Sequence, residues 1–142
     1  MANIIYSEYL KHVCTGEIDL LSDPIYAMLL TSSYTPSTGH KLVAEITGYE
    51  ATDALSSYSQ GGALLTGKTL TFSAGQLVFD AADIAWNTST ITASGVALWR
   101  SGGSAADHHL ICWIELGQTS STNGTFQISW SASDGIFKVG AN

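Results

Sequence analysis

The fold is decided by two apolar segments, GVALW at residues 95–99 and LICWIEL at residues 110–116, which flank the polar loop SGGSAADHH at residues 101–109. The pattern predicts a β-hairpin at the centre of a sheet. Alternate residues of a strand point to opposite faces, and apolar residues occupy both faces here, Cys112 on one and Trp113 on the other. Each face must therefore be covered, one by the rest of a sandwich and the other by a local helix or another protein chain.

The hairpin also carries a group of aromatic side chains. In simple antiparallel register, Trp99 and Trp113 share one face with Ile111. An apolar patch of this kind either lies beneath another layer of the same chain, which is the commoner outcome, or marks an interaction site. With two tyrosines from earlier segments, the candidate interface residues are Trp99, Trp113, Ile111, Tyr9 and Tyr34. A face covered by another subunit would indicate a protein partner, and an open face would suit sugar stacking.

Composition excludes several classes of partner. The chain has 142 residues, the size of one domain. Only 12% of these residues are charged, against about 25% in average soluble domains, so the surface must be rich in Ser, Thr, Gly and Ala. The net charge of −7 and the absence of clustered Lys or Arg argue against nucleic-acid binding. No segment resembles a membrane-spanning helix or a signal peptide, so we expect synthesis in the cytoplasm without export.

The patterns of the remaining segments predict mostly short strands. Apolar residues at three-to-four spacing predict a short amphipathic helix over residues 4–13, which either covers the sheet or docks on a neighbour. The continuous apolar run at residues 25–31 predicts a strand buried on both faces. We expect about eight short strands, a short helix near residues 42–46, a possible strand at 49–55 and a capped turn at 80–86. The predicted fold is mainly β, a β-sandwich or jelly-roll-like single domain over residues 1–142 with a short N-terminal helix.

No motif in the sequence predicts catalysis. The run Asp107-His108-His109 contains metal-ligating residue types, but neighbours in a strand point to opposite sides. We therefore expect no functional metal and no other cofactor in this protein. A nucleophile elbow and a phosphate-binding loop are both absent from the sequence. Cys14 and Cys112 lie in different settings and form no CxxC pair, which favours two reduced, unpaired thiols. We therefore expect a protein that is not an enzyme.

Several motifs together resemble one family. They are GEIDLLSD at 16–23, the strand 25–31, YTP at 34–36, GGALLTGKT at 61–69, FDAADIAW at 79–86, ITA at 91–93 and STNGTFQISW at 121–130. In this order they resemble small structural proteins of tailed bacteriophages, of the capsid decoration or cement type. The likeness spans nearly the whole chain, although each motif is a strand-and-turn pattern of modest specificity.

The resemblance implies a virion component without catalytic activity, located on the capsid surface. Its partners would be the major capsid protein and further copies of itself, as a dimer or trimer, with no nucleic acid and no membrane. Two alternatives stay open at this point: a tail or head-tail connector component, and a carbohydrate-binding module of the virion.

Overall fold

A computed structural model describes residues 3–140. The chain forms a mainly β, β-sandwich-like domain with one short helix and several antiparallel sheets, which confirms the predicted fold class. The helix is α1 (Ser7–Cys14). The strands are β1 (Ile4–Ile5), β2 (Ile25–Leu30), β3 (Ala63–Leu64), β4 (Thr69–Ser73), β5 (Gln76–Asp80), β6 (Ile84–Ser89), β7 (Thr92–Arg100), β8 (His109–Ser120), β9 (Gly124–Ile128) and β10 (Phe137–Gly140).

The β7–β8 hairpin is the centre of the largest sheet. This sheet has five strands in the order β1-β8-β7-β2-β3, and all its pairings are antiparallel. Two smaller sheets, β10-β5-β4 and β6-β9, complete the fold. Their inward side chains Phe79, Trp86 and Phe126 join the core beneath the central sheet. The predicted position of the hairpin is therefore correct.

Each face of the central sheet has its own core. On one face Leu29 and Leu98 pack with side chains of the smaller sheets. On the other face Met28 and Trp99 pack beneath the segment that follows β2, which contributes Tyr34, Val43 and Ile46. This second cover belongs to the same chain, and it is a loop with short 3₁₀ turns at Val43–Glu45 and Thr47–Tyr49.

A β-bulge changes the face predicted for Ile111. Leu98 pairs with Cys112, but the next residue, Trp99, pairs with Leu110, so Ile111 is the extra residue in β8. Ile111 consequently packs in the core between the central sheet and the smaller sheets, while Leu110 joins Trp99 and Trp113 on the opposite face of the central sheet. The simple register assumed from the sequence was wrong at this position.

The N-terminal helix is shorter than predicted. Ile4 and Ile5 are extended and pair with Trp113 and Cys112 of β8, so the helix begins only at Ser7. Helix α1 buries Tyr9, whose ring meets Phe137 edge-on at 6.2 Å. The helix therefore covers part of the chain's own sheet. Among residues 3–140 no helix has the length and apolar character needed to cross a membrane.

Three smaller predictions can also be compared with the structure. Residues 49–55 do not form a strand, and the capped turn predicted at 80–86 gives way to β6 from Ile84 onward. The short helix near residues 42–46 is present as a single 3₁₀ turn. Cys14 and Cys112 are both free, the first exposed and the second buried.

Candidate functional site

All of the residues proposed from the sequence as a partner surface are buried within the chain. The exposed fractions are 8% for Trp99, 1% for Trp113, 0% for Ile111, 3% for Tyr9 and 4% for Tyr34. Trp99, Trp113 and Tyr34 do lie together on one face of the central sheet. Because that face is covered by the chain's own loop, these side chains form core, and a partner surface has to be sought elsewhere.

The cover over Trp113 is built from aromatic side chains and hydrogen bonds. The Tyr34 ring meets Trp113 edge-on at 5.1 Å between ring centres. The Tyr34 hydroxyl lies 2.8 Å from the Tyr6 hydroxyl, and this contact ties the loop to the start of α1. It also lies 2.8 Å from Nδ1 of His40 in the same loop. On the strand side Gly95 makes room for the ring, since a Cβ there would lie 2.2 Å from Trp113.

Trp99 is likewise occupied by contacts within the chain. Its ring stacks on Tyr26 at 5.1 Å, and its Nε1 donates a hydrogen bond of 3.0 Å to the Gly61 carbonyl. His108 packs edge-on against the same ring at 5.0 Å. Trp99 and Trp113 therefore form no open platform on which a sugar could stack.

A different apolar surface is uncovered. Phe72, at 80% exposure, is the most exposed large apolar side chain among residues 3–140. It pairs across the β4–β5 hairpin with Leu77, and Leu77 pairs with Val139 of β10, which is 39% exposed. Directly opposed residues of neighbouring strands share a face, so these three side chains form a continuous line. We call Phe72, Leu77 and Val139 the apolar row.

The apolar row lies on the same face of the three-stranded sheet as a buried part of the core, beyond the elements that cover that part. One step along the same face, Leu70 pairs with Phe79, which pairs with Phe137, and Phe79 is fully buried. Helix α1 and the turn after it cover this buried end of the sheet face. Between helix and sheet lies a shallow groove of about 320 Å³. It is lined by Tyr9, Val13, Ile18, Leu70 and Leu77, among others. The row therefore continues into a groove at the side of the domain.

The segment that carries Phe72 and Leu77 has no charged residue. The sequence from Thr69 to Leu77 is TLTFSAGQL, without an acidic or basic residue. Among residues 3–140, in the sheet order β10-β5-β4, strand β4 pairs only with β5, so its other edge presents backbone groups without a strand partner in that range. This surface offers apolar and hydroxyl groups together with an unpaired strand edge.

The metal-ligating residue types at 107–109 do not converge on one point. Nδ1 of His108 accepts a 3.1 Å hydrogen bond from the Gly102 N–H. Asp107 accepts a 3.3 Å hydrogen bond from the hydroxyl of Ser104. His109 points elsewhere, towards Glu17. Asp107-His108-His109 therefore forms no site by itself.

His109 belongs instead to a group that sequence reasoning missed. Its Nε2 lies 3.1 Å from one carboxylate oxygen of Glu17, and Nδ1 of His12 lies 2.9 Å from the other oxygen. The two imidazole rings stack with their centres 3.8 Å apart. We call His12, Glu17 and His109 the histidine cluster. The residues are up to 97 positions apart (109 − 12), and the spacing of His12 and Glu17 alone gives no signal for their meeting with His109.

Glu17 and His109 of the histidine cluster have shifted pKa values. The hydrogen bond from His12 is the main cause that lowers the pKa of the Glu17 carboxyl. Burial is the main cause that lowers the pKa of His109, and the neighbouring His12 adds to it. Glu17 is thus held as a carboxylate and His109 as a neutral imidazole.

Glu50 and Asp53 also line a pocket among residues 47–60, where Glu50 Oε2 and both oxygens of Asp53 accept hydrogen bonds from within the chain. Glu50 accepts hydrogen bonds from the Tyr58 hydroxyl at 2.6 Å and the Gly61 N–H at 2.7 Å. Asp53 accepts four backbone N–H bonds, from Leu55, Ser57, Tyr58 and Thr90. Burial alone would raise the pKa of Asp53, but these four donors lower it. Their geometry fits a structural role.

Comparison with known proteins adds no relative: no family model matches the chain, and no curated protein or solved structure matches it significantly.

Proposed function

We propose that this chain is a non-enzymatic structural protein of tailed-bacteriophage virions, a decoration protein that binds and stabilises the assembled capsid. The observation that carries the proposal is the apolar row, with Phe72 80% exposed inside an uncharged segment. Exposed aromatic side chains in apolar surroundings are typical anchors of protein–protein contacts. The resemblance of the sequence motifs to phage decoration proteins supplies the partner, the folded shell protein.

The charge distribution supports a protein partner over a nucleic acid. Three of the five cationic side chains, Lys68, Arg100 and Lys138, are engaged within the chain. Lys68 donates to the Asp23 carbonyl, Arg100 lies 3.5 Å from the Asp23 carboxylate, and Lys138 lies 2.6 Å from Asp134. A chain of net charge −7 with its cations paired in this way would be repelled by phosphates.

The mechanism of stabilisation follows from mass action. A protein that binds the assembled shell and not its free subunits shifts the equilibrium towards the shell. Copies joined as the expected dimer or trimer would add avidity, because the second contact becomes effectively intramolecular after the first has formed. Since the row lacks charge, such binding would depend little on salt concentration.

The proposal is tested with particles that lack this protein. Purified particles are incubated with wild-type protein, with the Phe72→Ser variant, or with Leu55→Ser as control. Leu55 is 44% exposed and lies outside the three-stranded sheet, so it matches the type of change without touching the row. We expect wild type and Leu55→Ser to bind and raise the temperature at which DNA is released. Phe72→Ser should bind about 10-fold more weakly or worse.

Three results would contradict the proposal. The first is a deletion that leaves the heat resistance of the particles unchanged. The second is equal binding by wild type and Phe72→Ser. The third is labelled protein found only on the tail, which would favour the connector or tail alternative.

A further inference from the structure

The histidine cluster joins three separate parts of the fold. His12 lies in the last turn of α1, Glu17 in the turn after that helix, and His109 at the first position of β8. One ligand atom from each residue lies within 4.8 Å of the other two. Two imidazole nitrogens and a carboxylate oxygen are thus gathered at one point by a helix, a turn and the central strand.

This donor set is one that zinc prefers. Zinc sites with an open position commonly use three protein ligands drawn from His and Asp or Glu, at about 2.0–2.2 Å. Two ligands of a tetrahedral zinc then lie about 3.4 Å apart. His12 Nδ1 and His109 Nε2 lie 2.9 and 3.1 Å from the two different oxygens of the Glu17 carboxylate, slightly closer than that spacing. A small outward movement of the rings would admit the ion.

The groups around the cluster also suit a cation. His12 Nε2, the nitrogen facing away from Glu17, lies 3.7 Å from the Glu8 carboxylate. If this contact shortens to a hydrogen bond, it gives the carboxylate support that ligating histidines commonly have in zinc sites. The Glu17 side chain is 46% exposed, which leaves a path from solvent and room for a water ligand.

The Arg100 guanidinium is a cation beside the cluster, and it also has other partners. The Arg100 guanidinium lies 3.9 Å from a Glu17 carboxylate oxygen, and would repel a metal ion there. It also lies 3.5 Å from the Asp23 carboxylate and donates a 3.0 Å hydrogen bond to the Glu17 carbonyl. Arg100 can therefore keep these contacts when the Glu17 carboxylate turns to a metal.

We infer that the histidine cluster is a zinc site, with His12, Glu17 and His109 as protein ligands and a water in the fourth position. Zinc bound there would fasten the end of α1 to the central sheet. This inference is independent of the proposed function, because none of the three ligands belongs to the apolar row.

The test uses untagged full-length protein, dialysed against a chelator and titrated with zinc chloride by calorimetry. We expect one zinc per chain, and a rise in the unfolding temperature of about 5 °C or more at a hundredfold excess over the dissociation constant. Cobalt in place of zinc should give the visible absorption of a tetrahedral site.

Variants identify the ligands. Glu17→Gln and His12→Ala should each weaken zinc binding by about 100-fold or more, since even supporting residues of zinc sites contribute 10- to 100-fold. The matched control is His108→Ala, which removes a neighbouring imidazole outside the cluster. His109 is buried and its replacement could impair folding, so Glu17→Gln, at a half-exposed side chain, decides the test. No stoichiometric zinc on wild type, or equal affinity in wild type and Glu17→Gln, would overturn the inference.

Discussion

Two phenylalanines on the same face of the three-stranded sheet differ in what lies opposite them. Phe79 is fully buried beneath α1 and the central sheet, whereas Phe72, on the neighbouring strand, is 80% exposed. Both are large apolar residues in short strands, so local sequence does not tell which of them is covered. The difference arises because the sheet extends farther than the elements that cover it. The uncovered end is therefore the part of this face that can serve a partner.

The largest effect should come from truncating the two rings separately. Phe79→Ala should lower the free energy of unfolding by about 3–5 kcal/mol, because it leaves a cavity in a packed core. Phe72→Ala should change it by about 0.5 kcal/mol or less, as is usual for surface sites. Urea unfolding followed by circular dichroism measures both. Similar losses for the two variants would mean that Phe72 is covered in solution, and the comparison would fail.

A second contrast concerns the covered face of the hairpin. Gly95→Ala would place a methyl group 2.2 Å from the Trp113 ring, and overpacking of this kind costs about 1–3 kcal/mol. Gly103 is its control, because a Cβ there meets nothing within 4 Å. Thermal unfolding should show a clear drop in the unfolding temperature for Gly95→Ala and little change for Gly103→Ala. An unchanged Gly95→Ala variant would show that Trp113 is not packed against this strand.

The smallest effect is the pH dependence of stability that Glu17 and His109 confer where α1 is held over the buried end of the sheet. The pKa of Glu17 is lowered by its hydrogen bond from His12, so its stabilising contribution is present above the unfolded-state pKa near 4.3 and is lost as pH falls. The pKa of His109 is lowered by burial, so below about pH 6.5 the unfolded chain takes up a proton more readily than the folded one. Both effects lower the free energy of unfolding as the pH falls.

We therefore expect the free energy of unfolding, measured without metal, to fall between pH 7.5 and pH 4 (roughly the range set by these two groups). His109→Gln should reduce the dependence between pH 7.5 and 5. A His109→Gln profile parallel to that of wild type would contradict this assignment.

The sequence predicted features that depend on local pattern. Residues 95–99 and 110–116 carry apolar side chains on both faces of a strand pattern, which predicts the hairpin, the mainly β class and a cover on each face of the hairpin. Strand pairing preserves that pattern. The bulge at Ile111 did not follow, because one extra residue changes the face of a side chain without changing composition.

Contacts between distant parts of the chain were also beyond prediction. The loop after β2 covers Trp113 through Tyr34, and His109 meets residues of α1 and its following turn. Such contacts depend on how the elements are arranged in space, which periodicity does not encode. For the same reason, the sequence left open whether Trp113 is covered by its own chain, whereas in the structure it is buried and Phe72 is exposed.

The most direct test of the proposed function is the position of this chain on a purified virion. A reconstruction from electron micrographs should place copies at regular positions on the outer face of the shell, with Phe72 and the end of the β4–β5 hairpin against the shell protein. Absence of the chain from the particle, its presence only on the tail, or a shell contact made by another side of the domain would contradict the account.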